Sequence, residues 1–259
     1  MTTTTIEESG ARRRSLSPVT RLIRSELVLM VRDPLTLTFV FAFPVVTMLI
    51  IGGSFGTTPD EAFENTNPSH WYVASYLSVV IAATGLVTLP VHMASYRERG
   101  VLRRFAAAGF PRWSFALAQL VLGLTTILLS VALLLAVAAP VYGIPPVAHL
   151  WPAILGFAFG AVGFVSVGVL LGSLLPSARS AQAVGLLLFF PSFLLGAGGP
   201  PPNVMGSALQ QIADVLPLTL VTNSIRVPWL DLGSATGTLV TVIGLSVAAC
   251  VVAARRARL

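Results

Sequence analysis

Six apolar stretches, at residues 35–55, 71–94, 114–139, 152–175, 181–199 and 233–254, contain no Asp, Glu, Lys or Arg. A bilayer core about 30 Å thick is crossed by about 20 apolar residues in a helix rising about 1.5 Å per residue, so each stretch is long enough to span it. Lipid offers no partner for backbone N–H and C=O groups, which leaves the helix as the form for such stretches. The expected fold is an all-α integral membrane domain of six transmembrane helices. Charged residues make up 10% of the 259-residue chain, against roughly a quarter in soluble domains, so one membrane domain fills nearly all of it.

The net charge of +6 would suit a nucleic-acid binder if the charge lay on one soluble face, but it does not. All sixteen basic residues are arginine, and they fall in the segments between alternate apolar runs. Placing the N-terminus in the cytoplasm puts fifteen of them inside, with only Arg226 outside. The ten acidic residues divide five and five, so the arginines decide the orientation. Both termini are expected in the cytoplasm.

Residues 1–16 are polar, acidic and then basic, and are expected to form a disordered cytoplasmic tail without a cleavable signal. Over 17–33, Ser17 and Pro18 read as the cap and first residue of a helix with Val19, Leu22, Ile23, Leu27 and Met30 at helical spacing. Its Arg21, Arg24 and Arg32 would face anionic headgroups while the apolar face lies in the membrane surface. A cytosolic helix packed on another domain is the alternative, and the chain offers no such domain. Asp33 and Pro34 then read as the cap and first residue of the first span, which opens the membrane domain at 34–259. The fifth run ends in Gly196, Gly198, Gly199 and Pro200 to Pro202, followed by a moderately apolar segment to Trp229. That segment is expected to be a re-entrant or interfacial helical hairpin, with an ordinary surface loop as the alternative.

Chemistry-bearing patterns are few. There is no lysine, hence no G-x-x-x-x-G-K-[ST] phosphate loop with which to hydrolyse ATP. His70, His92 and His149 lie in three different flanks without a second ligand at helical spacing, so they read as interfacial or packing residues and no metal site is expected. No serine sits in a G-x-S-x-G elbow. Cys250 reads as a small packing residue. The six runs contain none of the acidic or basic residues that a proton- or sodium-coupled carrier keeps inside the membrane, so energy for transport would have to come from outside the chain. Gly156 and Gly160, then Gly168 and Gly172, recur at four-residue spacing and permit close helix approach, read as packing within the bundle rather than a dimer seam. In the long inner loop, Val101, Leu102 and Phe105 could form one apolar face among arginines. That fits either a short helix offered to a partner's groove or a basic loop held on lipid headgroups.

Three features make the sequence resemble the membrane subunits of ATP-binding-cassette exporters of the type-2 permease family, especially the daunorubicin-exporter-like branch. They are the entry helix ending in Val31, Arg32, Asp33 and Pro34, the run RERGVLRRF, and the late stretch PPPNVMGSALQQIADVLPLTLVTNSIR. The resemblance implies that Arg97, Glu98, Arg99, Gly100, Val101, Leu102, Arg103, Arg104 and Phe105 begin a loop that contacts a separate ATPase subunit. Related permeases continue with Thr-Pro where this chain has Ala108 and Gly109. The late stretch is similar to the family's outer hairpin, with Pro217, Leu218 and Arg226 at matching points. The implied assembly is a pair of permeases, identical or paralogous, each bound to an ATPase that holds the ATP and Mg. In that assembly the first, second and fifth spans line the path or the dimer seam. Met48, Phe189, Phe190 and Phe193 are candidate lining residues, with core or lipid-facing aromatics as the alternative. The implied activity is export of a drug, lipid or secondary metabolite from a bacterial cell through its plasma membrane. A non-transporting membrane scaffold that anchors soluble partners is the reading from another class.

Overall fold

The computed structural model describes residues 32–101, 107 and 112–256, the side chains of 112–116 excepted. The tail at 1–16, the helix from Ser17 to Met30 with Arg21 and Arg24, and Leu102, Arg103, Arg104 and Phe105 lie outside the described residues.

The helices run α1 (Pro34–Ser54), α2 (Pro68–Glu98), α3 (Arg112–Tyr142), α4 (Leu150–Leu174), α5 (Ala178–Ala197), α6 (Ser207–Val215), α7 (Pro217–Leu230) and α8 (Thr236–Arg256). Six of them, α1 to α5 and α8, are long and apolar enough to cross a membrane, α3 from Leu117 onward. The protein is an all-α integral membrane protein, and no strand occurs among the described residues. The second span is longer than its apolar run because polar groups extend it at both ends. Asn67 caps it by accepting from Ser69 N at 2.9 Å, and it continues past Tyr96 to Glu98.

Caps open the other helices where the sequence supplies them. Asp33 closes the N-terminus of α1, and Ser177 and Ser180 form a reciprocal box at the start of α5. Three π-helical segments interrupt the spans: Leu37–Ala42 in α1, Ala83–Thr88 in α2, and Phe193–Ala197 at the end of α5. The first two stand beside a proline, which has no N–H to give the carbonyl four residues back. Pro44 leaves Val40 O to the Ser130 hydroxyl of α3.

Glycine meets carbonyl in the same way elsewhere. Pro90 cannot donate to Leu86 O, and a Cβ on Gly185 of α5 would lie 2.2 Å from that oxygen. Pro228 leaves Ser224 O, against which a Cβ on Gly156 of α4 would lie at 2.5 Å. Gly168 faces Gly85 O of α2 and Gly172 faces Pro90 and Met93, while Gly160 faces Val221 of α7. The four-residue glycine pairs of α4 are therefore packing seats within the bundle, two for α7 and two for α2.

The result is a bundle with α2 at its centre. Nearly every residue of α2 from Pro68 to Ala94 is buried, surrounded by α1, α3, α4, α5 and α7. In contrast α8 packs against α4 and α7 and turns most of its surface outward. The segment between the fifth and sixth spans holds two short helices, α6 and α7, that meet at Leu216. Its second arm, α7, is 14 residues long, about 21 Å and too short to span, and it lies between α2 and α4 with Leu218, Val221, Thr222 and Ile225 buried.

Candidate functional site

The arginine-rich end of the bundle gathers the ends of α1, α2, α4 and α5. Asp33 Oδ2 accepts from Thr36 N at 2.8 Å and Thr36 Oγ1 at 2.7 Å, and lies 3.1 Å from His92 Nε2 on α2. Pro34 is the first helical residue, so both act at the entry to α1 as their order predicts. The His92 hydrogen bond, reinforced by the two from Thr36, holds the Asp33 carboxyl well below the usual carboxylate range. Arg32, just before the cap, is exposed.

At the foot of α2, Arg97 turns onto the C-terminus of α4. Its guanidinium donates to the carbonyls of Gly172 at 3.3 Å, Leu175 at 3.2 Å and Ser173. Glu98 accepts from Ala178 N, the first amide of α5, at 3.1 Å. The helix then closes on Arg99 and Gly100, whose amides return to Ser95 O and Arg97 O. Gly100 has φ +68°, a left-handed conformation that glycine adopts without strain. Val101 follows, half-buried.

The four candidate lining residues sit mostly inside the bundle. Met48 and Phe189 have no exposed surface, Phe193 is 5% exposed, and Phe190 is 40% exposed. Phe189 and Phe193 stack with centroids 5.8 Å apart, and Phe43 of α1 stands edge-on to Phe189, Phe190 and Phe193 at 5.7, 6.3 and 5.2 Å. Tyr76 continues the cluster from Phe193 toward Tyr72, Phe63 and Trp71. An open apolar cavity of about 340 Å³ lies elsewhere, between α4, α5, α7 and α8, lined by Gly160, Phe164, Leu188, Pro217, Val242 and Leu245 among others.

At the end opposite the arginines, Arg226 of α7 is 5% exposed. Its guanidinium lies 3.7 Å over the Trp71 ring and donates to Asn223 Oδ1 at 2.7 Å and Ser75 Oγ at 3.2 Å. Ser78 and Thr222 join their hydroxyls at 2.6 Å one turn deeper, and Tyr72 donates to Gly199 O at 3.0 Å. Among the described residues no carboxylate comes within ion-pair distance of Arg226. This anchorage was not read from the sequence, although Trp71, Ser75 and Ser78 share one face of the second run by spacing. The other two histidines bond across the bundle ends, His70 to Tyr142 O at 3.2 Å and His149 to Asp231 at 3.1 Å. No group of three metal-ligating side chains occurs among the described residues. Cys250 rests against Ser166 Oγ at 3.1 Å.

A search of curated proteins gave no match. A family model described as ABC-2 type transporter matches residues 18–229, from the entry segment through α7. With six membrane-crossing helices and most of its length matched, the chain belongs to the ABC-2 type transporter family.

Proposed function

We propose that this permease exports a hydrophobic or amphipathic compound, such as a drug, lipid or secondary metabolite, as in the daunorubicin-exporter-like branch. ATP and Mg are held by a separate ATPase subunit, and a second permease, identical or paralogous, completes the path. Both termini and the arginine-rich end face the cytoplasm of a bacterial cell, where the segment from Arg99 to Phe105 offers Val101, Leu102 and Phe105 to the ATPase. The observation that carries the reading is the family match over 18–229 on a chain without a phosphate loop of its own. The aromatic cluster of Phe43, Phe189, Phe190 and Phe193, which supports the candidate lining, joins α1 to α5, with Phe190 as its exposed edge.

The test is co-purification with the ATPase subunit and ATP hydrolysis in lipid with and without candidate compounds. A stable complex whose hydrolysis rises with a compound supports the reading. A folded permease that captures no ATPase overturns it in favour of a membrane scaffold. The double variant Leu102→Asp, Phe105→Asp is expected to lose stimulated hydrolysis, because two charges are placed on the docking face.

A further inference from the structure

Arg97 and Glu98 are consecutive, yet each holds the end of a different helix. Arg97 caps three carbonyls at the C-terminus of α4, and Glu98 caps the first amide of α5. Each charge has the sign that its helix end favours, a cation at the carbonyl end and an anion at the amide end. The first turn of α5 holds Arg179 and no acid of its own, so the negative charge there comes from Glu98. Only the short turn at 175–177 separates the two helix ends.

Above this clamp the three helices are interlocked by backbone contact. Gly172 of α4 sits on Pro90 and Met93 of α2, and Gly185 of α5 sits on Leu86. A displacement of the foot of α2 therefore meets both neighbours at two levels, at the capped ends and at the glycine seats. The loop that begins at Arg99 leaves from the same point. We propose that Arg97 and Glu98 are positioning residues that transmit a force applied to that loop onto α4 and α5 together, so that the three spans tilt as one body. The proposal rests on the ATP-driven transport reading given above, and it assigns these two side chains to the permease's own bundle rather than to the ATPase surface.

Ala178→Pro tests the clamp without touching either charged residue. Ala178 is the first residue of α5, where proline is favoured, and Ser177 at φ −144°, ψ 160° already has the extended conformation required before proline. The substitution removes only the N–H that Glu98 accepts. Arg97→Gln tests the other arm. Spin labels at Ile50→Cys on α1 and Leu187→Cys on α5, both exposed, are placed in a Cys250→Ser background. The distance between them is measured with and without ATP in the permease–ATPase complex.

In the parent complex ATP is expected to shift this distance. In Ala178→Pro the ATP-dependent change in this distance is expected to shrink or be lost, because α5 no longer follows the foot of α2 through that bond. An unchanged shift in both Ala178→Pro and Arg97→Gln overturns the clamp while leaving the transport reading standing. A parent chain that neither binds the ATPase nor responds to ATP sinks both. If the shift in Ala178→Pro falls only together with its thermal stability, the contact is a strut and the coupling role falls.

Discussion

At the residue scale, two polar contacts are placed where their removal has a readable sign. Arg226 is buried over Trp71 and bonded to Asn223 and Ser75. Arg226→Ala removes the stacking and leaves these partners unmatched, so it is expected to destabilise the protein by roughly 2 kcal/mol, seen as a lower thermal midpoint in detergent. Arg226→Lys should recover little, because an ammonium lacks the planar face that lies on the indole. Asp33 gives a pH dependence. Its folded-state pKa is depressed, so its contribution is fully present above the ordinary carboxylate pKa of about 4 and is lost as pH falls below that. The stability gap between the parent and Asp33→Asn is therefore expected to narrow as pH falls below about pH 4, measured by thermal unfolding. The cap itself was legible in the order Asp33, Pro34. Its partner His92 was not, because 59 residues separate them in the chain.

At the scale of elements, prolines and glycines form matched sets across helices. Pro44, Pro90 and Pro228 each expose a carbonyl in one helix, and a serine or glycine of another helix, Ser130, Gly185 or Gly156, occupies the place beside it. Gly185→Ala would put a methyl group 2.2 Å from Leu86 O and is expected to cost about 1–3 kcal/mol, with α2 and α5 forced apart. Gly237 and Gly244 of α8 have open space where a Cβ would stand, so Gly244→Ala should be neutral or stabilising by up to about 1 kcal/mol. Thermal unfolding of the two variants side by side checks the contrast. The four-residue spacing of glycines in α4 was readable as close packing. Which helix each pair would meet was not, since spacing within one helix says nothing of its neighbour. The end of α2 illustrates the same limit. Arg97 and Glu98 were legible as charged residues of a loop entry, but their engagement of the α4 and α5 ends depends on a turn 75 to 80 residues further on.

For the whole molecule, the six apolar runs marked the six spans to within a few residues at most ends, because in lipid the length of a charge-free run is itself the structural constraint. The segment before the last span read as a re-entrant or interfacial hairpin, with a surface loop as the alternative. That its second helix, α7, packs between α2 and α4 was not legible, because spacing within one helix says nothing of its neighbours. That α2 lies at the centre also escaped the sequence, since its hydropathy is lower than that of the outward-facing α3 and α8 although its Tyr72, Ser75, Tyr76, Ser78, Thr84 and Thr88 are buried. The arginine distribution makes a global prediction as well. Reporter fusions at residue 60 should read on the side opposite fusions at residue 100 and at the C-terminus. A reporter at residue 60 that reads in the cytoplasm would reverse the assignment of ends.

The seat of Arg226 has a consequence for how the protein is made. Ser75, which receives that guanidinium together with Trp71, leaves the ribosome 151 residues before it. At synthesis rates of about 5–20 residues per second, that is roughly 8 to 30 s during which α2 stands in a half-built bundle with its stripe of hydroxyls and indole unoccupied. The helix that fills the stripe emerges between the last two spans and cannot cross the bilayer by itself. α7 can therefore take its place between α2 and α4 only after the first five spans have been made, and it brings with it the one buried cation among the described residues.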